Sequence, residues 1–258
     1  MLERIQTFRR DLHQIPELEL HLPKTQRYIQ EALRDLPCTL SSPIPSSVVA
    51  FFDAGKKESI AFRSDMDALP VTEATGRAFT SRHTGCMHAC GHDGHMAMLL
   101  EFACQLSDYY KELPHNVVLI FQPGEETPGG AEPMCKSGIF EQYQIKRIFG
   151  FHVWPMLDKG VIATRKNEFM ARSSEVNIDI TGKSAHAAKY QEGIDAMEIA
   201  ARYLLDLYTM EQEELSAETY RLLRFGLLKS GTVRNVVSNA ARMEGTLRAF
   251  QDETYQYM

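Results

Sequence analysis

The sequence predicts an α/β protein, with a domain built on a mostly parallel sheet followed by a smaller α+β domain. Three observations support this. Helical repeats and short apolar strands alternate from the start of the chain to His152, as in a sheet with helices on its faces. Val117-Val118-Leu119-Ile120-Phe121 is a continuous apolar run, the kind a parallel sheet buries on both sides. Beyond residue 170 the pattern changes to strands with one wet face and a long amphipathic helix.

Taken in order, Leu2, Ile5, Phe8 and Leu12 recur at helical spacing, and Pro16 closes that run. Tyr28, Ile29, Ala32, Leu33 and Leu36 mark a second helix, ended by Pro37. Ser41 to Ser47, rich in Ser and Pro, reads as a loop. Val48 to Phe52 and Ile60 to Arg63, separated by Gly55-Lys56-Lys57, read as two strands paired with each other. A helix is expected from Met96 to Tyr110, a buried strand over Val117 to Phe121, and a short helix near Ala131 to Lys136. Ile148 to Phe151 is a further apolar strand. Val176, Ile178 and Ile180 alternate with polar residues, a helix follows from about Ile194 to Tyr208, and strands follow at Tyr220–Lys229 and Arg242–Phe250. This β-α-β-β order defines a second domain, with the boundary between residues 1–168 and 169–258.

With 258 residues, the chain can bury a substantial core, and its 44% apolar and 24% charged content is ordinary for a globular protein. A net charge of −6 gives no footprint for nucleic acid or for an anionic membrane. The first residues carry Glu3, Arg4, Arg9, Arg10 and Asp11 without an apolar core segment, so they are not read as a secretory signal. No window is apolar enough to span a bilayer. Five cysteines, an odd number in a chain of this size, suggest reduced thiols in a cytoplasm over a disulfide framework.

Chemistry concentrates in Gly85-Cys86-Met87-His88-Ala89-Cys90-Gly91-His92-Asp93-Gly94-His95, read as a loop that opens the helix at Met96. Cys90 and His92 stand two apart, which in extended backbone puts both on one side. A thiolate and a neutral imidazole suit zinc and other late first-row divalent ions. Asp65/Asp67, Glu125/Glu126 and His152 each follow a predicted strand, and ligands of open α/β sheets bind outside the carboxyl ends of the strands. The adjacent acids let one carboxylate bind metal while the other moves protons, and His152 completes a Cys, His, Glu, His set. Two plainer readings stand beside this one. Cys86, Cys90, His92 and His95 could form a closed structural zinc site, or the thiols could be ordinary buried cysteines. Gly182-Lys183-Ser184 is not a P-loop, because Asn177 stands where the first glycine is required.

Four segments together resemble one family. They are Ser64-Asp65-Met66-Asp67-Ala68-Leu69-Pro70, Met87 to His95, Phe121-Gln122-Pro123-Gly124-Glu125-Glu126 with Gly129-Gly130-Ala131, and Phe151-His152-Val153-Trp154-Pro155. The family is the aminoacylase/carboxypeptidase group of dinuclear metallohydrolases. Within it, the closest resemblance is to the amidohydrolases: hippurate hydrolase, auxin-conjugate hydrolase and N-acetyldiaminopimelate deacetylase. The resemblance implies a zinc-peptidase-like catalytic domain and a ferredoxin-like lid and dimerisation domain. It implies two divalent ions (Zn, or Mn, Ni or Co) on Cys90, His92, Glu126 and His152, with Cys90 bridging. Glu125 then acts as general base and acid, and Asp67 orients a ligand from behind. In the second domain, His186 of Gly182-Lys183-Ser184-Ala185-His186-Ala187-Ala188, Asn235 and Arg248 are implied to hold substrate, with a homodimer formed through that domain. The implied reaction is hydrolysis of an N-acyl, first of all N-acetyl, amino acid, a small-molecule substrate. A metallo-carboxypeptidase or dipeptidase of the same family is the alternative. There are two departures. Tyr190 stands where the family has Pro, and the family's chain is longer, so a C-terminal part with one further ligand His is expected to lie outside this sequence. A catalytically impaired fragment is therefore a second expectation.

Overall fold

The structure is a computed structural model that describes residues 2–258. It divides into two compact units, Met1–Asp158 and Lys159–Met258.

The first unit contains α1 (Leu2–His13), α2 (Pro23–Leu33), β1 (Thr39–Ser41), β2 (Val48–Phe52), β3 (Ser59–Asp65), α3 (His92–Leu106), β4 (Asn116–Gln122), α4 (Ala131–Lys136), α5 (Ile139–Gln142) and β5 (Ile145–Gly150). Its sheet has the order β1-β2-β4-β3-β5. β3, β4 and β5 are parallel neighbours, β2 runs against β4, and β1 runs against β2, so only β2 is reversed. β4 is buried at every position, as its unbroken apolar run demands. Strand alternation sends Val117, Leu119 and Phe121 to one face, where they join Leu12, Ile29, Met96 and Leu100. Val118 and Ile120 go to the other face, with Met134 and Ile139. These two cores make a helix–sheet–helix sandwich with β4 at its centre.

Several sequence expectations need correction. β2 and β3 are not paired with each other, because β4 lies between them. Asn116 at the start of β4 accounts for this: its Oδ1 accepts from the main-chain N–H of Ala54 (2.9 Å) and Lys56 (3.0 Å), and its Nδ2 donates to Lys56 O (2.7 Å). The Gly-Lys-Lys connection is thereby wrapped around the end of β4 instead of closing a hairpin. α2 starts at Pro23, where proline is preorganised for a first helical turn, and ends before Leu36. β1 and α5 were too short to show a period. α3 begins at His92, four residues before the expected Met96, so His92 to His95 of the cysteine–histidine cluster are helix and not loop.

The second unit contains β6 (Arg172–Thr181), α6 (Ala196–Glu214), β7 (Arg221–Ser230), β8 (Ala240–Ala249) and α7 (Asp252–Tyr257). Its sheet is antiparallel with the order β6-β8-β7. Asp195 caps α6 by accepting from Met197 N (2.9 Å) and Glu198 N (3.4 Å), the N-terminal device expected of Asp. Ala196 and Ala200 then pack on Ala241 and Met243, with Ile178, Ile180 and Phe225 around them. Among the described residues, no helix is long and apolar enough to cross a membrane.

Candidate metal centre

Because β3, β4 and β5 are parallel neighbours, their carboxyl ends lie on one edge, with Asp65 in register with Gln122 and Arg63 with Gly150. Asp65 and Asp67, Glu125 and Glu126, and His152 all follow from that edge. α3 starts there too, bringing Cys90, His92 and His95.

Gly91 makes the approach to α3 possible. Its φ of +89° is a left-handed conformation that side chains resist, and a Cβ built there would stand 2.6 Å from Val153 Cγ2. Gly130 does the same for the acidic loop, where an added Cβ would meet Pro123 O at 1.8 Å. Gly124 O accepts from the N–H groups of Gly129 (3.1 Å) and Gly130 (2.7 Å), folding the Gln-Pro-Gly-Glu-Glu turn back on itself.

Asp67 ties these pieces together from a fully buried position. Its main-chain oxygen accepts from His92 Nδ1 (2.7 Å). Its carboxylate accepts from the N–H of Glu125 (2.9 Å) and of Glu126 (3.0 Å). Since an oxygen can only accept, Nδ1 of a neutral His92 carries the proton and Nε2 is bare. That Nε2 is buried without a hydrogen-bond partner. It stands 3.7 Å from Asp65 Oδ2 and 3.9 Å from a carboxylate oxygen of each of Glu125 and Glu126. His152 repeats the arrangement: Nδ1 donates to Val153 O at 2.7 Å, and Nε2 lies 3.4 Å from Cys90 Sγ. Donor atoms of Cys90, His92 and His152 lie within 4.8 Å of one another, as do those of His92, Glu125 and Glu126 and of Asp65, His92 and His95.

The electrostatics are those of a site built for a cation. Burial, then the Glu126 carboxylate, pushes the Cys90 thiol up to about 12, so it ionises only against a positive charge. Burial and its acidic neighbour Glu126 raise Glu125 above the usual carboxylate range, the direction a proton-transfer group needs. Burial opposes ionisation of Asp65, but His95, His92 and Arg63 outweigh it and hold that carboxyl down to about 2. Burial also pulls against a charged His92, yet Asp67 and Asp65 raise it overall. Thiol, bare imidazole nitrogens and carboxylates converging on an orphaned buried nitrogen fit a late first-row divalent ion.

The structure thus brings together Cys90, His92, Glu125, Glu126, His152 and Asp67. Cys86 is in none of the donor groups, so the closed Cys86–Cys90–His92–His95 site is not formed. In the second unit, His186 and Asn235 share a corner: His186 bridges to Val236, and Ala187 N donates to Asn235 O at 3.0 Å. Arg248 does not join them. It is in register with Ser173, whereas the corner adjoins the Thr181–Ala240 end of the same β6–β8 pair. Eight steps at ~3.3 Å each put Arg248 roughly 26 Å from that end of the pair.

Two residues of the cluster that bind no metal in the sequence reading, His95 and Asp93, support the site through partners the sequence does not name. His95 Nδ1 donates to Asp65 Oδ1 at 2.7 Å, a pair signalled by His95 standing one turn after His92. Behind α3, Asp93 accepts from His13 Nδ1 (2.8 Å) and Arg9 Nε (3.2 Å), and His13 Nε2 reaches Glu73 at 3.3 Å. Burial works against Asp93 ionisation, but His13, His88 and Arg9 lower it.

The site is thus a cluster of side chains able to hold a metal ion at the carboxyl edge of an α/β sheet. The model of peptidase family M20/M25/M40 matches residues 61–236, and the chain belongs to that family. It is 38% identical over 254 residues to an "uncharacterized hydrolase" of Staphylococcus epidermidis, covering 98% of this chain and 66% of that protein. It therefore spans just under two thirds of the curated relatives it matches. Among solved structures, it resembles a Staphylococcus aureus protein provisionally described as an aminohydrolase, with 30% identity and a TM-score of 0.91 over 98% of this chain and 68% of the other. It also resembles the Bacillus subtilis YXEP protein, described as a dinuclear metal binding peptidase, with 32% identity and a TM-score of 0.80 over 99% and 66%.

Proposed function

We propose that this site is the metal centre of an amidohydrolase that cleaves N-acyl amino acids, N-acetyl ones first, into an acid and a free amino acid. The buried, unpartnered Nε2 of His92, facing the carboxylates of Glu125 and Glu126, is the observation that best supports a metal ion there. Cys90, His92, Glu126 and His152 are the proposed residues that would hold two divalent ions, Zn or Mn, Ni or Co. Bound there, such ions would polarise the scissile carbonyl and lower the pKa of water to about 7. Glu125, with its raised affinity for protons, takes the proton from water and passes it to the leaving nitrogen. Asp67 fixes both acids by their main-chain N–H groups and His92 by its ring, so one buried residue sets the spacing of base and ligand.

His186 and Asn235 are proposed to hold the carbonyl side of the substrate, and Arg248 its carboxylate, for which a guanidinium fork is suited. Their separation along the β6–β8 pair is too great for one small substrate to bridge within a chain. This supports a homodimer in which one chain supplies the corner and the other supplies Arg248. Five free cysteines support residence in the reducing cytoplasm. The description of the Bacillus relative as a peptidase favours a second reading, a dipeptidase or carboxypeptidase built on the same centre.

A panel of N-acyl amino acids and dipeptides, assayed with each added metal, tests these readings. Glu125→Ala should keep its metal and lose about 10²- to 10⁴-fold in turnover. Retained turnover would overturn the assignment of Glu125. If only dipeptides are cleaved, the second reading holds. If this chain is inert while the full-length Staphylococcus epidermidis relative is active, the chain is an impaired fragment.

A further inference from the structure

His152 lies in an unusual place for a ligand. It follows the end of β5 into a segment, residues 151–158, without helix or strand, where Trp154 is 54% and Met156 83% exposed. A ligand has to be held to within a fraction of an ångström, and loops of this kind are mobile unless tied down. One tie to the interior is visible beside it. The N–H of Val153 donates to Nε2 of His95 at 2.9 Å, and His95 is itself buried. The opposite nitrogen, Nδ1, donates to Asp65 Oδ1 at 2.7 Å, and Asp65 is in turn gripped by Arg63 Nη1 at 2.9 Å. Val153 is also seated sterically, because its Cγ2 occupies the space that a side chain at position 91 would fill. The rings of His95 and His152 meet edge to face with centroids 4.6 Å apart.

His95 therefore has no nitrogen to offer a metal, although its donor atom falls within ligand spacing of Asp65 and His92. We propose that His95 is a positioning residue: anchored on Asp65, it holds the main-chain N–H of Val153 and thereby sets where the His152 ring stands against Cys90. This rests on the reading of His152 as a ligand. The device requires one tautomer, with Nδ1 protonated and Nε2 accepting, and the Asp65 carboxylate enforces it. A carboxylate at the end of β3 is thus connected, through one imidazole, to a loop after β5.

Two substitutions separate the halves of this relay. In His95→Gln the side-chain oxygen can reach the Nε2 position and keep the bond from Val153. In His95→Asn the side-chain amide matches Nδ1 instead, keeping Asp65 but releasing Val153. The probes are Co(II), titrated by absorbance, and hydrogen exchange at the Val153 amide. His95→Asn should lose Val153 protection and bind Co(II) about 10- to 100-fold more weakly. His95→Gln should stay within a few-fold of the parent in both readouts. Equal weakening in both variants, with one Co(II) lost per chain and Val153 still protected, would make His95 a ligand and overturn the proposal. So would unchanged affinity in His95→Asn alongside weakened binding in His152→Ala. If His152→Ala binds Co(II) like the parent, the reading of His152 is what fails. Should His95→Asn not fold, Val153 exchange in His95→Gln decides: near-parental protection supports the tether, and lost protection with parental Co(II) affinity refutes it.

Discussion

Replacing Asp67 with Ala removes two charge-assisted hydrogen bonds, to Glu125 N at 2.9 Å and Glu126 N at 3.0 Å. Each such bond contributes about 1.5–3 kcal/mol, so about 3–6 kcal/mol is at stake. The low end applies, because the Glu125–Glu126 backbone borders solvent and water can take up the released N–H groups. About 3 kcal/mol of destabilisation is therefore expected by urea unfolding followed by circular dichroism. His92 should keep its orientation, because it is held by the main-chain oxygen of residue 67, which the substitution preserves. Glu126 should not keep its position, and Co(II) affinity should fall about 10- to 100-fold. Asp67→Asn should fall between the two, because its amide can accept one N–H but presents a donor to the other. An Asp67→Ala protein within about 0.5 kcal/mol of the parent, a shift typical of a neutral surface change, and with parental Co(II) affinity would refute the keystone role of Asp67.

Two further outcomes follow from other parts of the first unit. Gly91→Ala forces a side chain into φ +89°, worth about 1–2 kcal/mol, and drives its Cβ to 2.6 Å from Val153. Thermal unfolding should show the loss, and Co(II) binding should weaken because Cys90 and His92 flank the turn. His13 is raised by its hydrogen bond to Asp93, against the opposing effect of burial. A raised folded-state pKa means this stabilisation is complete below the unfolded value of about 6.5 and disappears as pH rises through the folded-state pKa. Urea midpoints from pH 5 to 9 should fall more steeply in the parent than in His13→Gln, and parallel curves would contradict this.

Much of the architecture was legible because β4 is an unbroken apolar run and the site residues sit just past strand ends. Parallel strands carry such residues to one edge, so Asp67, Glu125, Glu126 and His152 converge for a topological reason. The start of α3 was not legible, since Gly91 and His92 are poor helix formers, and the turn is held by tertiary bonds from Asp67 and Asp65. That error left the partner of His95 unnamed, because His95 is a one-turn neighbour of His92 only once the helix begins at residue 92. The β2–β3 pairing misled for a similar reason. A Gly-Lys-Lys connection looks like a hairpin until Asn116, some sixty residues away in sequence, is seen capping it. The separation of Arg248 from His186 is a register fact that no local pattern encodes.

Co(II) absorbance on the parent, Cys90→Ser and Cys86→Ser tests the metal centre most directly. Thiolate ligation produces a near-ultraviolet sulfur-to-cobalt band. The expected result is a band in the parent and in Cys86→Ser that is absent in Cys90→Ser. A band that survives Cys90→Ser, or disappears with Cys86→Ser, would contradict the centre built on Cys90, His92, Glu126 and His152.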